Sequence, residues 1–186
     1  MIVVERIPLD KDVYCFEIDD VLYPKRDYLL QVYYLFSNFI AFTEGLPSAE
    51  EMTEFMRKTY QHQGEDEVFP LTKETFGLND EYEENFKRLQ ANAQLPLKLL
   101  LFSEVENLLL SLQQDGKKIA ILTKGNPVEQ LNKLKYMDWG KFEMYKNFLK
   151  VYFIDELRFR NIDPITYIAK DFGVSDSEIH VIEKNK

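Results

Sequence analysis

Residues 13–18, VYCFEI, carry an apolar or aromatic side chain at every position except Glu17. A run with no polar face reads as a strand buried on both sides, as at the centre of a parallel sheet covered by helices. Pro24 stops any extended continuation. A chain that opens on such a strand must supply further strands to flank it and helices to cover both faces.

The remaining sequence has the patterns to do so. From Asp27 to about Glu44 apolar residues recur at helical spacing (Leu29, Val32, Tyr33, Phe36, Ile40), and Leu30, Tyr34, Leu35 and Phe39 widen the stripe. So wide a stripe suits a helix packed on more than one side, with a dimer face as the alternative. Gly45-Leu46-Pro47 ends it, and Ser48-Ala49-Glu50-Glu51 has the form of a capping box for the next helix. Gly64 to Glu67 reads as a solvated loop, followed by short helices around Lys73 and from Asn79 to Ala93. About seventy residues after the first strand therefore read as helical.

Beyond Pro96 strands and helices alternate. Ser103-Glu104-Val105-Glu106 caps a helix ending at Asp115-Gly116. Lys118 to Thr123 is a second strand, and Asn126-Pro127 supplies an N-cap and first-turn pair for a helix to about Tyr136. VYFID is a third strand, Asp163-Pro164 opens a helix that Gly173 closes, and EIHVIE is a fourth strand. Alternation of this kind predicts a doubly wound α/β sheet, Rossmann-like, over residues 1–23 and 97–186, with residues 24–96 a helical insertion after the first strand.

Composition narrows the function classes. The formal net charge is −9 and the pI about 4.9, which disfavours nucleic acid and anionic membrane as partners. The run LPLKLLLFSEVENLLLSL is broken by Lys98, Glu104 and Glu106 and does not read as a membrane span. Glu5 and Arg6 stand where a signal peptide needs its apolar stretch, and a single cysteine fits a reducing, cytoplasmic home. Cys15, inside an apolar strand, reads as packing. His62 and His180 have no zinc-ligand spacing.

In doubly wound sheets ligands bind beyond the carboxyl ends of the strands. Four polar sets fall there: Glu17/Asp19/Asp20, Thr123/Lys124, Asp155/Glu156 and Glu183. Carboxylates converging from separate strands are hard oxygen ligands suited to Mg²⁺. A hydroxyl and an ammonium suit a phosphate, and the helix starting at Pro127 adds its N–H groups. Phosphoryl transfer is the chemistry such a set suggests. Asp20 reads chiefly as a turn residue, while Asp155 and Glu156 read as flanking the pocket.

FEIDDVLYP resembles the first motif of the haloacid dehalogenase superfamily of Mg²⁺-dependent phosphohydrolases, Asp-x-Asp-x-Thr/Val-Leu, with the Leu-Tyr-Pro common in members that carry a helical cap. IAILTKGNP resembles the second motif, RNIDPITYIAKDFGV the third and EIHVIE the fourth. The resemblance covers nearly the whole chain. It implies a small phosphorylated molecule as substrate, with Thr123, Lys124 and Gly125 on the phosphate, Glu17, Asp19, Thr123 and Asn161 at catalytic positions, and Glu17, Asp19 and Glu183 on the metal. It makes residues 24–96 the cap. It also implies an acidic loop, a helix and a further strand after Lys186, without which the strand at 178–183 lies at a sheet edge open to a second copy or a partner.

Departures from the family pattern fall on the chemistry. Glu17 stands at the nucleophilic aspartate, Asn161 at the third-motif lysine, and Ile182-Glu183 at the fourth-motif Gly-Asp. One extra methylene moves the attacking oxygen by roughly 1 Å, an error of a size that can cost about 10²-fold in rate. Loss of the lysine removes a cation that Arg158, Arg160 or Lys124 could replace in charge but not in geometry. Two readings follow: a hydrolase-like protein with weakened or lost phosphatase activity and a retained ligand or partner role, or a working Mg²⁺-dependent phosphomonoesterase.

Overall fold

The computed structural model describes residues 7–45 and 47–184. The MIVVER start and Leu46 of the Gly45-Leu46-Pro47 break lie outside the described residues. The chain divides into two compact units, one formed by the chain up to Lys25 and again from Lys98, the other by Arg26–Leu97.

The elements in order are β1 (Val13–Phe16), α1 (Lys25–Glu44), α2 (Ala49–Gln63), α3 (Val68–Phe76), α4 (Glu81–Asn92), β2 (Leu99–Leu100), α5 (Ser103–Gln114), β3 (Lys118–Thr123), α6 (Pro127–Tyr136), β4 (Met137–Asp138), β5 (Lys150–Phe153), α7 (Ile154–Phe159), α8 (Pro164–Phe172) and β6 (Ile179–Ile182). The fold is α/β, as the alternation predicts. A 4-stranded sheet of order β5-β3-β1-β6 has every pairing parallel.

All of β1 is buried, because the sheet is covered on both faces. One face gathers Val13, Cys15, Ala120, Leu122 and Tyr152 with Ile154, Leu157 and Ile168. Burial pushes the Cys15 thiol up to about 12, so it acts as packing. Phe16 stands level with Ile121 on one side and Ile182 on the other. Because the strands are parallel, Glu17, Thr123 and Glu183 leave the sheet at the same end.

The caps follow sequence chemistry. Ser48 accepts from the Glu51 N–H, Asn126 from that of Val128 and Asp163 from that of Thr166. Two local expectations are corrected, and one element went unread. The cap position of α5 is Phe102, which has no side-chain cap bond, with Ser103 already inside the helix. The third strand ends at Phe153, and VYFID turns helical at Ile154 because Ile154 and Leu157 are drawn into the core. The short parallel ladder of β2 with β4 is too brief to show any alternation in sequence.

The Arg26–Leu97 unit is helical and organised on aromatic rings. Phe86 contacts Phe36 (centroids 5.1 Å apart), Phe69 (5.2 Å) and Tyr33 (6.3 Å). The wide stripe on α1 resolves into buried Tyr28, Leu29, Val32, Tyr33, Phe36 and Ile40, with Tyr34, Phe39 and Phe42 exposed. Among the described residues no helix is long and apolar enough to cross a membrane.

Candidate functional site

The loop after β1 is held by its own apolar residues. Ile18, Val21, Leu22 and Tyr23 are fully buried, which leaves Glu17, Asp19 and Asp20 as the polar members. Asp20 adopts a left-handed backbone (φ 59°), a conformation that Asp tolerates in turns. Its carboxylate accepts from the Lys25 N–H at 2.9 Å and from the Lys184 ammonium at 2.9 Å. Asp20 therefore shapes the turn.

Glu17 and Thr123 meet across the β1–β3 boundary. The Thr123 hydroxyl, fully buried, donates to Glu17 Oε1, which also accepts from the Ile18 N–H at 2.8 Å. Burial, with the Asp19 charge adding to it, raises the Glu17 carboxyl above its ordinary range, against the hydrogen bonds from Thr123, Ile18 and Lys124.

Asp19 is clamped. Both its oxygens accept from Lys133 Nζ, at 2.9 and 2.8 Å, and the Tyr23 hydroxyl donates to Oδ1 at 3.1 Å. The Lys133 side chain is 0% exposed and also pairs with Glu129 Oε1 at 2.7 Å. A lysine is almost never fully buried unless it is paired, as this one is.

Sequence reasoning missed Lys133. In PVEQLNKLKY the residues Val128, Leu131 and Leu134 have the spacing of an inward stripe. The structure reverses it: Gln130, Asn132 and Lys133 are buried, while Val128 and Leu131 are exposed. The available signal was Glu129 four residues before Lys133, a spacing that also marks solvated surface pairs.

The groups expected on a phosphate, Thr123, Lys124 and Gly125, contact carboxylates of this chain. The Gly125 N–H donates to Asp155 Oδ2 at 2.8 Å, an acid expected only to flank the pocket. Lys124, on the surface, pairs loosely with Glu183 at 3.4 Å. The Gln130 amide donates to the Lys124 carbonyl at 2.8 Å, and its own Oε1 has no partner among the described residues.

Asn161 stands apart from these contacts. It closes α7 in a left-handed conformation (φ 56°), donating its N–H to the Arg158 carbonyl at 2.9 Å, and its side chain is exposed. Asn is favoured there for its backbone freedom. Arg158 and Arg160 are exposed as well. Among the described residues no three or more His, Cys, Asp or Glu side chains are grouped to hold a metal ion. Glu17, Asp19 and Glu183, expected as one ligand set, instead face Thr123, Lys133 and Lys124 respectively.

The backbone resembles that of solved structures. A haloacid dehalogenase-like family hydrolase from Xanthomonas campestris superposes with a TM-score of 0.52 at 14% identity, over 95% of this chain and 74% of that one. A putative beta-phosphoglucomutase from Thermotoga maritima superposes at 0.50 and 20% identity, over 94% and 88%. The fold is that of the haloacid dehalogenase-like hydrolases. An L-2-haloacid dehalogenase matches that fold at 0.51 and 14% identity, over 94% and 78%. No family model and no curated protein matches the sequence. Identities this low carry the haloacid dehalogenase-like fold to this chain and leave its chemistry to its own residues.

Proposed function

We propose that this chain is a haloacid dehalogenase-fold protein with weakened or lost Mg²⁺-dependent phosphatase activity, whose crevice keeps a ligand- or partner-binding role. One observation carries the reading: the buried Lys133 ammonium holds both oxygens of Asp19. A general acid/base must release and recover a proton within reach of the reacting atoms. Both Asp19 oxygens are turned to the buried ammonium, so neither is free to face a reacting group.

The surroundings point the same way. Glu17, at the nucleophile position, spends one oxygen on Thr123 and Ile18. The Thr123 hydroxyl donates to Glu17 and the Gly125 N–H to Asp155, so both donors are engaged before any phosphate arrives. Asn161 carries no charge to replace the expected lysine. A divalent ion does not fit this arrangement, because the candidate ligands are not gathered at one point and each has a donor of its own.

The helical Arg26–Leu97 unit corresponds in sequence to the cap that the family uses to screen substrates. The outer edge of β6 pairs with no strand among the described residues, which supports pairing with a second copy or a partner. Buried Cys15 is compatible with a reducing cytoplasm.

Hydrolysis of p-nitrophenyl phosphate, with and without Mg²⁺, tests the reading. The expected outcome is no Mg²⁺-dependent turnover by the wild type, and none by Glu17→Asp combined with Asn161→Lys, because Lys133 still holds both Asp19 oxygens in that variant. Turnover by the wild type that needs Mg²⁺ and disappears in Asp19→Asn would overturn it in favour of an active phosphomonoesterase.

A further inference from the structure

We infer that the Lys133 ammonium is the resident cation of this crevice, standing where a divalent ion would otherwise hold Asp19 and Glu129 together.

Lys133 Nζ touches three carboxylate oxygens, both of Asp19 at 2.9 and 2.8 Å and Oε1 of Glu129 at 2.7 Å. These acids come from different elements, Asp19 from the loop after β1 and Glu129 from the first turn of α6. Their side chains are only 19% and 14% exposed. Two carboxylates this close and this poorly hydrated repel each other unless a cation lies between them. Glu129 and Lys133 are one helical turn apart on α6, so the helix itself delivers the ammonium to that point.

The oxygens that meet the ammonium, two from Asp19 and one from Glu129, are hard donors. Such donors take Ca²⁺ or Mn²⁺ readily, whereas Mg²⁺ needs shorter bonds of about 2.0–2.1 Å in strict octahedral geometry. The arrangement also accounts for the missing ligand set. Asp19 directs both oxygens at the lysine, and Glu183, left outside, pairs with Lys124. Covalent attachment makes the cation permanent: chelators do not remove it, and metal supply does not regulate it.

The inference deepens the proposed function and rests on it, but its readout is metal binding and not turnover, so either can fail alone. Full-length wild type, Lys133→Ala and the double variant Lys133→Ala/Asp19→Asn are titrated with Ca²⁺, Mn²⁺ and Mg²⁺ by calorimetry. Each is also melted with chelator and with the cation present. The expected result is a wild type indifferent to all three ions and a Lys133→Ala protein that melts early in chelator. That protein recovers with Ca²⁺ or Mn²⁺ and binds them about tenfold or more tightly than the wild type. The double variant loses the recovery.

Should Lys133→Ala be unfolded without metal, folding on addition of Ca²⁺ or Mn²⁺ supports the inference, and failure to fold overturns it. It is also overturned if the wild type binds a divalent ion through Asp19, or if folded Lys133→Ala ignores all three cations.

Discussion

The two units solve the problem of buried polarity in opposite ways. The helical unit keeps its charges outside, in pairs such as Arg57–Glu54 and Lys87–Glu83, and fills its centre with rings around Phe86. The polar groups it buries are uncharged, among them Ser37, Thr59, Thr72, the Tyr28 hydroxyl on the Gln90 carbonyl, and the Tyr33 hydroxyl, which has no partner among the described residues. The α/β unit instead takes a whole lysine inside and surrounds it with carboxylates. A hydroxyl can be buried alone at modest cost, whereas an ammonium cannot. Buried charge therefore marks where the structure is committed to a specific electrostatic arrangement, and here that place is the end of the sheet.

The largest test of this contrast is Lys133→Met. Leaving Asp19 and Glu129 buried without a cation should cost about 3–5 kcal/mol, read as a fall in the chemical-denaturation midpoint. Adding Asp19→Asn and Glu129→Gln to that variant should restore most of the loss, because the repulsion then has no source. A triple variant as unstable as the single one would show that Lys133 matters for packing alone.

In the helical unit Phe86→Ala should be destabilising by about 3 kcal/mol, since three rings pack on this residue. The change should leave divalent-cation binding by Lys133→Ala variants unaltered, which separates the two regions. Tyr33→Phe should act in the other direction. Deleting a buried hydroxyl that has no partner among the described residues should raise stability by about 1 kcal/mol, measured by equilibrium unfolding. A loss there would mean that the hydroxyl is bonded, for instance through a water.

Glu17 gives a pH test with a definite sign. Its carboxyl lies above the ordinary range in the folded chain, chiefly through burial. The stability it contributes is then fully present below the unfolded-state value and is lost as pH rises through the raised folded value. Glu17→Gln, which can still accept from Thr123, should melt higher than wild type at pH 8, and the difference should shrink as pH falls below the carboxylate range. The smallest expected effect is Arg57→Gln, whose exposed partner Glu54 stays solvated; the melting curve should not move.

Much of the fold was legible because its signals are local. Both-face burial marked VYCF as a central strand, and Asn126-Pro127, Asp163-Pro164 and Gly173 marked helix ends that the structure places at those residues. The meeting of Glu17 with Thr123 was foreseeable too, since parallel strands deliver their carboxyl ends to one edge. The errors have a shared cause. Asp155 was read as a strand end, but the pull of Ile154 and Leu157 into the core bends the chain into α7 and carries that carboxylate to the Gly125 N–H.

By itself, then, the sequence determined the alternation of elements, the helical insertion and which residues reach the carboxyl edge of the sheet. Hydrophobic period and cap chemistry operate within a few residues and need no knowledge of distant neighbours. Only the tertiary structure decided how those acids are spent. Turning α6 so that Lys133 points inward and Leu131 outward depends on Asp19, 114 positions away, and on the carboxylates that make burying an ammonium tolerable.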